Sequence, residues 1–389
     1  MKLLATAAFG LEAVVSRELE ALGYADRSVR DGKIFFDADA SAIARANLWL
    51  RAADRVQVCL GEFDATDFGE LYDKTRGLPW AAWVGPEAAF PVSGRSSRSR
   101  LHHPPTIQKM VKKAAVDALY EQHGVVRLPE TGPPVPVDVS IVKDRVTVAL
   151  DTTGPGLHRR GYRRQAGAAP LKETLAAGLI QLSHWSPGRA FADPLCGSGT
   201  FVIEAALMAA GVAPGRRRDF VAESWPAVPR EVWADARSEA DRLAAETGVT
   251  DGPKLIGSDI APGVLRFARE NAAAAGVDRL VHFQQRPLAE FSSSQRHGVL
   301  VTNPPYGDRL EAKPAVDRLT GELADVVRGL PTWSAYVLTA DHDFEQTFGR
   351  KAGRRRKVYN GGIACTYYQY PGPRPPRAPV SEPPDNIDE

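Results

Sequence analysis

The residues best suited to chemistry are Asn303, Pro304, Pro305 and Tyr306, directly after the apolar run Val299-Leu300-Val301-Thr302. An amine attached to a ring is a poor nucleophile because its lone pair is delocalised. The Asn303 side-chain oxygen and the Pro304 carbonyl can accept its two hydrogens, favour a pyramidal nitrogen and aim the lone pair at an electrophilic methyl. The two prolines fix the backbone so that these acceptors converge, and Tyr306 offers a face for an unstacked base. The bland alternative is a proline-rich loop that merely ends a strand.

Two further segments bear on that chemistry. Asp193-Pro194-Leu195-Cys196-Gly197-Ser198-Gly199-Thr200 stands between a short strand and a helix, where glycines allow close backbone approach to a ligand and the helix start offers free amides. It is not a phosphate-binding Walker loop, because no Gly-Lys-Ser/Thr follows, and a dinucleotide fingerprint would need a third glycine. In Ile256-Gly257-Ser258-Asp259-Ile260 a carboxylate ends a predicted strand, where it can accept both hydroxyls of a ribose. Asp259 could instead cap the helix expected from Pro262.

The elements that must position these residues follow from periodicity. From Leu171 onward helix and strand patterns alternate: helices at 171–183, 199–210 and 262–275, and strands at 190–192, 254–258, 280–283, 298–302 and 335–339. This predicts a doubly wound, mainly parallel sheet. Upstream, helical patterns at 11–22, 41–50 and 68–75 alternate with strands at 33–36, 55–63 and 89–93, indicating an α+β region. A long helix is expected over 101–120, with Thr106 as its cap, followed by a hairpin of 135–142 and 145–150 around Lys143-Asp144. The glycine-, arginine- and proline-rich stretch 152–170 reads as an interdomain linker, and 371–389 as a disordered tail.

Composition bounds the function. The chain has 389 residues, 43% hydrophobic and 25% charged, with no run long enough to span a membrane. Glu12, Arg17, Glu18 and Glu20 interrupt the place where a signal peptide would be apolar, so a cytoplasmic protein is expected. Cys59, Cys196 and Cys365 are too dispersed to suggest disulfides or a zinc site, and no metal is expected. Net charge is only +2. Basic residues nevertheless cluster: Arg98 and Arg100; Lys109, Lys112 and Lys113; Arg159, Arg160, Arg163 and Arg164; Arg216 to Arg218; and Arg354, Arg355, Arg356 and Lys357. Any one run can be a solvated face, but together they favour nucleic acid as partner.

On these residues the sequence resembles known enzymes. Asp193 to Thr200 is similar to the glycine-rich motif of class I S-adenosylmethionine methyltransferases, Asp259 to their ribose-binding acid, and Asn303 to Tyr306 to the signature of amino methyltransferases. Leu101 to Lys113 resembles the core helix of THUMP RNA-binding domains. Leu157 to Arg163, with Pro170 to Ala176, resembles the junction in RlmL-type guanine-N2 methyltransferases of large-subunit ribosomal RNA. The resemblance spans nearly the whole chain. It implies a ferredoxin-like part at 1–60, THUMP at 61–152, a linker at 153–170 and a Rossmann-like methyltransferase domain at 171–370. It implies S-adenosylmethionine as cofactor, held by Asp193, Pro194, Cys196, Gly197, Ser198, Gly199, Thr200, Asp259, Ile260 and Asn303, with Lys172, Glu173 and Thr174 beside its methionine end. Where such enzymes commonly carry an acid near the adenine, this sequence reads Gln284-Gln285-Arg286-Pro287, so Arg286 and backbone groups stand there instead.

The resulting expectation is a guanine-N2 methyltransferase of structured RNA, most naturally 23S ribosomal RNA, with one activity only. A transfer RNA guanine-N2 methyltransferase, an enzyme acting on adenine-N6 in DNA or on a glutamine amide, and a non-catalytic RNA-binding factor are the alternatives.

Overall fold

The computed structural model describes residues 1–163, 171–247, 254–305 and 313–376. The N-terminal half begins β1 (Lys2–Ala7), α1 (Glu12–Ala21), β2 (Arg27–Arg30), β3 (Lys33–Asp37), α2 (Ser41–Trp49) and β4 (Ala53–Asp64). It continues with α3 (Phe68–Arg76), β5 (Val92–Ser97), α4 (Pro104–His123), β6 (Val137–Val142) and β7 (Arg145–Asp151). The first six elements make the βαββαβ arrangement of a ferredoxin-like unit. They do not close on themselves. β4 runs on past residue 60 to pair with β7, so all seven strands form one sheet in the order β2-β3-β1-β4-β7-β6-β5. The division expected at residue 60 falls inside this strand. Alternation decides the faces: Val56, Val58 and Leu60 of β4 are buried with the helices, while Arg55 and Gln57 lie on the opposite, polar face.

Several local expectations need correction. The strand expected at 89–93 lies at Val92–Ser97, and the long helix starts at Pro104, with His103 rather than Thr106 as its cap. Prolines suit the first helical turn because their missing amides would have no partner there, and the His103 ring accepts from the Thr106 amide. β1 and β2 were not expected, nor was the helix at Arg230–Thr247 described below.

The C-terminal half contains α5 (Glu173–Leu182), β8 (Phe191–Asp193), α6 (Thr200–Ala209), α7 (Arg230–Thr247), β9 (Leu255–Asp259), α8 (Pro262–Ala275), β10 (Val281–Gln285) and β11 (Val299–Thr302). It ends with α9 (Lys313–Arg328), β12 (Ser334–Thr339), α10 (Phe344–Phe348), β13 (Arg354–Asn360) and β14 (Ile363–Tyr370). The sheet order is β10-β9-β8-β11-β12-β14-β13. Neighbours from β10 to β12 are parallel, and β14 and β13 close the sheet antiparallel. Both faces are covered, which explains the unbroken apolar run of β11: Val299 and Val301 pack into one core, Leu300 into the other. From β8 the chain moves outward to β9 and β10, then returns to the far side of β8 as β11. The order thus reverses between β8 and β11, and a crevice opens at their carboxyl ends.

The stretch expected to be a linker is instead a packed strap over its described residues, 152–163. Thr152, Thr153, Arg160 and Tyr162 are buried. Arg160 forms an ion pair with Glu204, both side chains almost without solvent, and donates to the carbonyls of Leu157 and Arg51; the Tyr162 hydroxyl donates to Glu204 at 3.0 Å. Elsewhere Arg45 bridges α2 to Glu239 of α7 through two bonds of 2.9 and 3.0 Å, and the Trp225 indole donates to the Pro134 carbonyl. The two halves share one continuous core. Of the tail, residues 371–376 carry no regular structure, and 377–389 lie outside the described residues.

Candidate active site

The crevice is built first by the loop leaving β8. It turns back onto β9, the Cys196 amide bonding the Ser258 carbonyl at 2.9 Å, and enters α6 through Gly199, whose φ is 84°. A side chain at Gly199 would be strained in that conformation and would meet the Phe283 ring at 2.8 Å. The adjoining Gly197 amide donates to Asp259 Oδ2 at 3.0 Å, while Asp259 Oδ1 accepts from the Ala261 amide at 2.9 Å. Asp259 therefore ties the tip of β9 to the glycine loop, and Ala261, not Asp259, caps α8.

The second wall comes from β11. Its last residue, Thr302, donates from its hydroxyl to Asp193 Oδ1 at 2.7 Å, and the Leu195 amide donates to the same oxygen at 3.1 Å. Burial disfavours the ionised form of Asp193 more than these bonds and the nearby Asp259 charge alter it, and its pKa is pushed up to about 7. Asn303 follows with its Oδ1 buried and without a hydrogen-bond partner. An unpaired buried acceptor is costly, so it is a mark of a site that expects a donor from a ligand.

Between the walls lies a cavity of about 400 Å³. Leu171, Leu195, Phe201, Ile260 and Leu319 supply apolar lining; Asp193, Ser198, Thr200, Asp259 and Asn303 supply polar lining; Cys196, Gly197 and Pro305 complete it. Neither lysine nor arginine is among these lining residues, so two carboxylates face a cavity suited to a nucleoside-sized ligand with positive charge. Behind the loop, Arg163 bonds Glu173 at 2.7 Å, Thr200 at 2.9 Å and Ser198 at 3.3 Å, bracing the start of α6 from outside the cavity. Periodicity gave no sign of this brace, nor of the Thr302 bond.

Other expected cofactor residues are not among those that line the cavity. Lys172 is exposed at the cap of α5; Glu173 is buried against Arg163; Thr174 donates to Asp54. Pro194 and Gly199 support the loop without lining the cavity. The Arg286 amide donates to the Asp259 carbonyl at 3.1 Å. Pro304 is buried behind Asn303, and Tyr306 lies outside the described residues.

The basic residues are not all exposed. Arg98, Arg100, Lys109, Lys113, Arg159, Arg354, Arg355 and Lys357 are exposed, although Arg355 is paired with Glu345. Lys112 is bound to Glu130 and the Phe90 carbonyl, and Arg356 to the Gly10 carbonyl. Arg160 and Arg163 are corrections to the sequence expectation: their guanidinium groups are turned inward to Glu204 and Glu173 and are not available to a phosphate. Arg164 lies outside the described residues. Among the described residues no group of three or more His, Cys, Asp or Glu is placed to hold a metal, and no helix is long and apolar enough to cross a membrane.

A doubly wound sheet with this crevice, an acidic nucleoside-sized cavity and an Asn-Pro-Pro wall defines an S-adenosylmethionine-dependent methyltransferase. Family models match along the chain: an RlmL ferredoxin-like domain at residues 2–57, a THUMP domain at 65–151 and an RMKL-like methyltransferase domain at 160–369. The chain belongs to the RMKL-like methyltransferase family. It is 45% identical over 371 residues, 95% of each chain, to YpsC of Bacillus subtilis (strain 168), provisionally named an RNA methyltransferase. It is 34% identical over 367 residues to the ribosomal RNA large subunit methyltransferase K/L of Cellvibrio japonicus (strain Ueda107), covering 91% of this chain but 49% of that one. The chain thus spans about half the length of that K/L relative. Among solved structures, SMU.472, provisionally named a methyltransferase and crystallised with SAH, is 43% identical with a TM-score of 0.87, over 96% of this chain and 99% of that one.

Proposed function

We propose that this chain methylates the exocyclic N2 amine of a guanine in structured RNA, the large-subunit 23S ribosomal RNA being its substrate. The observation that carries the reading is the buried, unpartnered Asn303 Oδ1 at the rim of an acidic cavity. The THUMP match and the names of the K/L relatives support RNA, and ribosomal RNA in particular. The reading places the chain in the cytoplasm. It divides labour between an RNA-gripping portion, residues 1–60 and 61–152, a connection at 153–170, and the methyltransferase portion at 171–370.

S-adenosylmethionine supplies a methyl group on a positively charged sulfur. In this reading Asp259, fixed by two backbone amides, keeps lone pairs for ribose hydroxyls, with Ile260 against the nucleoside. Asp193, Ser198 and Thr200 face the charged amino-acid end. Asn303 Oδ1 and the Pro304 carbonyl accept the two hydrogens of the guanine amine and orient its lone pair into the cavity. Tyr306 takes the face of the flipped base. The proton released after methylation passes to solvent, and no side chain needs to form a covalent bond.

The test is incubation of the chain with radiolabelled S-adenosylmethionine and separated cellular RNAs from a deletion strain, followed by nucleoside identification. N2-methylguanosine confined to 23S RNA is the expected result. Label in transfer RNA would move the substrate, label at adenine-N6 in DNA would move the reaction, and no label in any RNA sinks the proposal.

A further inference from the structure

The register of the second sheet fixes what stands beside the active-site crevice. Thr302, just before Asn303, pairs with Val337 of β12, and β12 ends at Thr339 opposite Thr366 of β14. β14 starts earlier, at Ile363, where it pairs with Asn360 of β13. At about 3.4 Å per residue, the hairpin tip stands roughly 10 Å beyond the end of β12, on the same sheet edge as the cavity mouth.

Two aromatic rings are displayed there. Tyr359, opposite Ala364, is 38% exposed, and Phe9, in the loop after β1, is 58% exposed. Their centroids are 5.8 Å apart at an interplanar angle of 78°, an edge-to-face pair that leaves ring face open where a stacked pair would cover it. The Lys357 ammonium lies 5.5 Å from the Tyr359 centroid. One ring comes from each half of the molecule, and the halves are locked together at this point: Arg356 donates to the Gly10 carbonyl at 2.7 Å. The hairpin segment 354–363 carries three arginines and a lysine, and no acidic residue.

Exposed aromatic rings beside a lysine with no acidic partner within the hairpin, at the edge where a base must be delivered, fit a strand of single-stranded nucleic acid better than a protein surface. We infer that Phe9 and Tyr359 form a stacking platform for an unpaired nucleotide of RNA that flanks the target base, with Lys357, on the same face of β13 as Tyr359, on its phosphate. The inference rests on the RNA reading above. It adds a site on the seam between the two halves, separate from the cavity.

The experiment uses the full chain and a fluorescein-labelled, uridine-rich single-stranded oligoribonucleotide, with binding read by anisotropy and folding by thermal melting. Tyr359→Ala and Phe9→Ala should each weaken binding by about tenfold, the scale of one lost base stack, while Tyr359→Phe binds as the unaltered chain does. SAH affinity should be the same in all four proteins. Equal RNA affinity in the alanine variants overturns the platform, as does an unaltered chain that does not bind the oligonucleotide. Loss of affinity only in step with a lowered melting temperature also overturns it, because the pair would then merely hold the hairpin. Binding is read without methyl transfer, so an absence of labelled RNA in the preceding experiment would remove the catalytic reading and leave this result standing.

Discussion

The Thr302 hydroxyl donates to Asp193 Oδ1 at 2.7 Å, joining the carboxyl ends of β11 and β8 across the point where the sheet reverses its order. The bond links the strand that presents Asn303 to the strand that starts the glycine loop. Its acceptor is held near pKa 7 by burial, which makes the joint sensitive to pH.

The sign of that sensitivity is definite. A carboxyl raised from the ordinary 3.8 to about 7 in the fold binds its proton more tightly folded than unfolded. Stability should therefore fall as pH rises from about 4 to about 7, and level off above that. Asp193→Asn keeps an oxygen for Thr302 and Leu195 but carries no charge. Its melting temperature should overtake that of the unaltered chain across this window, as followed by thermal melts at stepped pH.

Binding of a cationic ligand should show the opposite trend, because positive charge favours ionised Asp193. S-adenosylmethionine affinity, measured by calorimetry, should rise between about pH 6 and 8. In Asp193→Asn the profile should be flat, matching the unaltered chain at low pH and falling below it as pH rises past about 7. A parallel rise in the variant would assign the titration to another group.

Asn303→Ala removes an acceptor without touching the glycine loop or Asp259. Methyl transfer should fall by about a hundredfold or more in kcat, the scale seen when one positioned polar group is lost, with SAH affinity nearly unchanged. Single-turnover assays with labelled cofactor would read the first, calorimetry the second.

The buried Arg160 and Glu204 pair gives a prediction about stability, not RNA. Arg160→Ala strands a carboxylate in the core and should cost about 3–5 kcal/mol, whereas Arg160→Met with Glu204→Leu should recover most of it. Denaturant melts decide this. The salt dependence of RNA binding should stay as it was in the double variant, while Lys109→Gln or Lys113→Gln should make it shallower.

Gly10 has a φ of 89°, and a Cβ there would lie 2.7 Å from the Lys357 carbonyl oxygen. Gly10→Ala should destabilise by about 1–3 kcal/mol and should loosen β13 first. Hydrogen exchange along Arg354 to Asn360 would show the loosening as faster exchange there than in β12.

The parts of the fold legible in the sequence are those whose residues act locally. The parallel sheet showed itself in apolar runs such as Val299 to Val301, and the lining residues Asp193, Gly197, Asp259 and Asn303 stood out because turns and strand ends gather them. Arg160 did not yield to the same reasoning. Its neighbours, Arg159 and Gly161, suggest a wet basic loop, and only Glu204, far along the chain and inside α6, explains why it is buried. Lys172 to Thr174 owe their expected place to the family resemblance alone. Their periodicity marks a helix start and no partners, and the fold supplies Arg163 for Glu173 and Asp54 for Thr174. β1 escaped notice because its run Leu3-Leu4-Ala5-Thr6-Ala7 fits a helix as readily as a strand, and pairing with β3 and β4 decides it.

The unbroken passage of β4 through both parts of the N-terminal sheet restricts how such a chain can be recombined. A graft that took the THUMP portion alone would strip β7 of the neighbour along its length and leave a long raw edge, inviting clumping. Inheritance or engineering that reuses this N-terminal unit therefore has to carry residues from β1 to β7 as a single cassette.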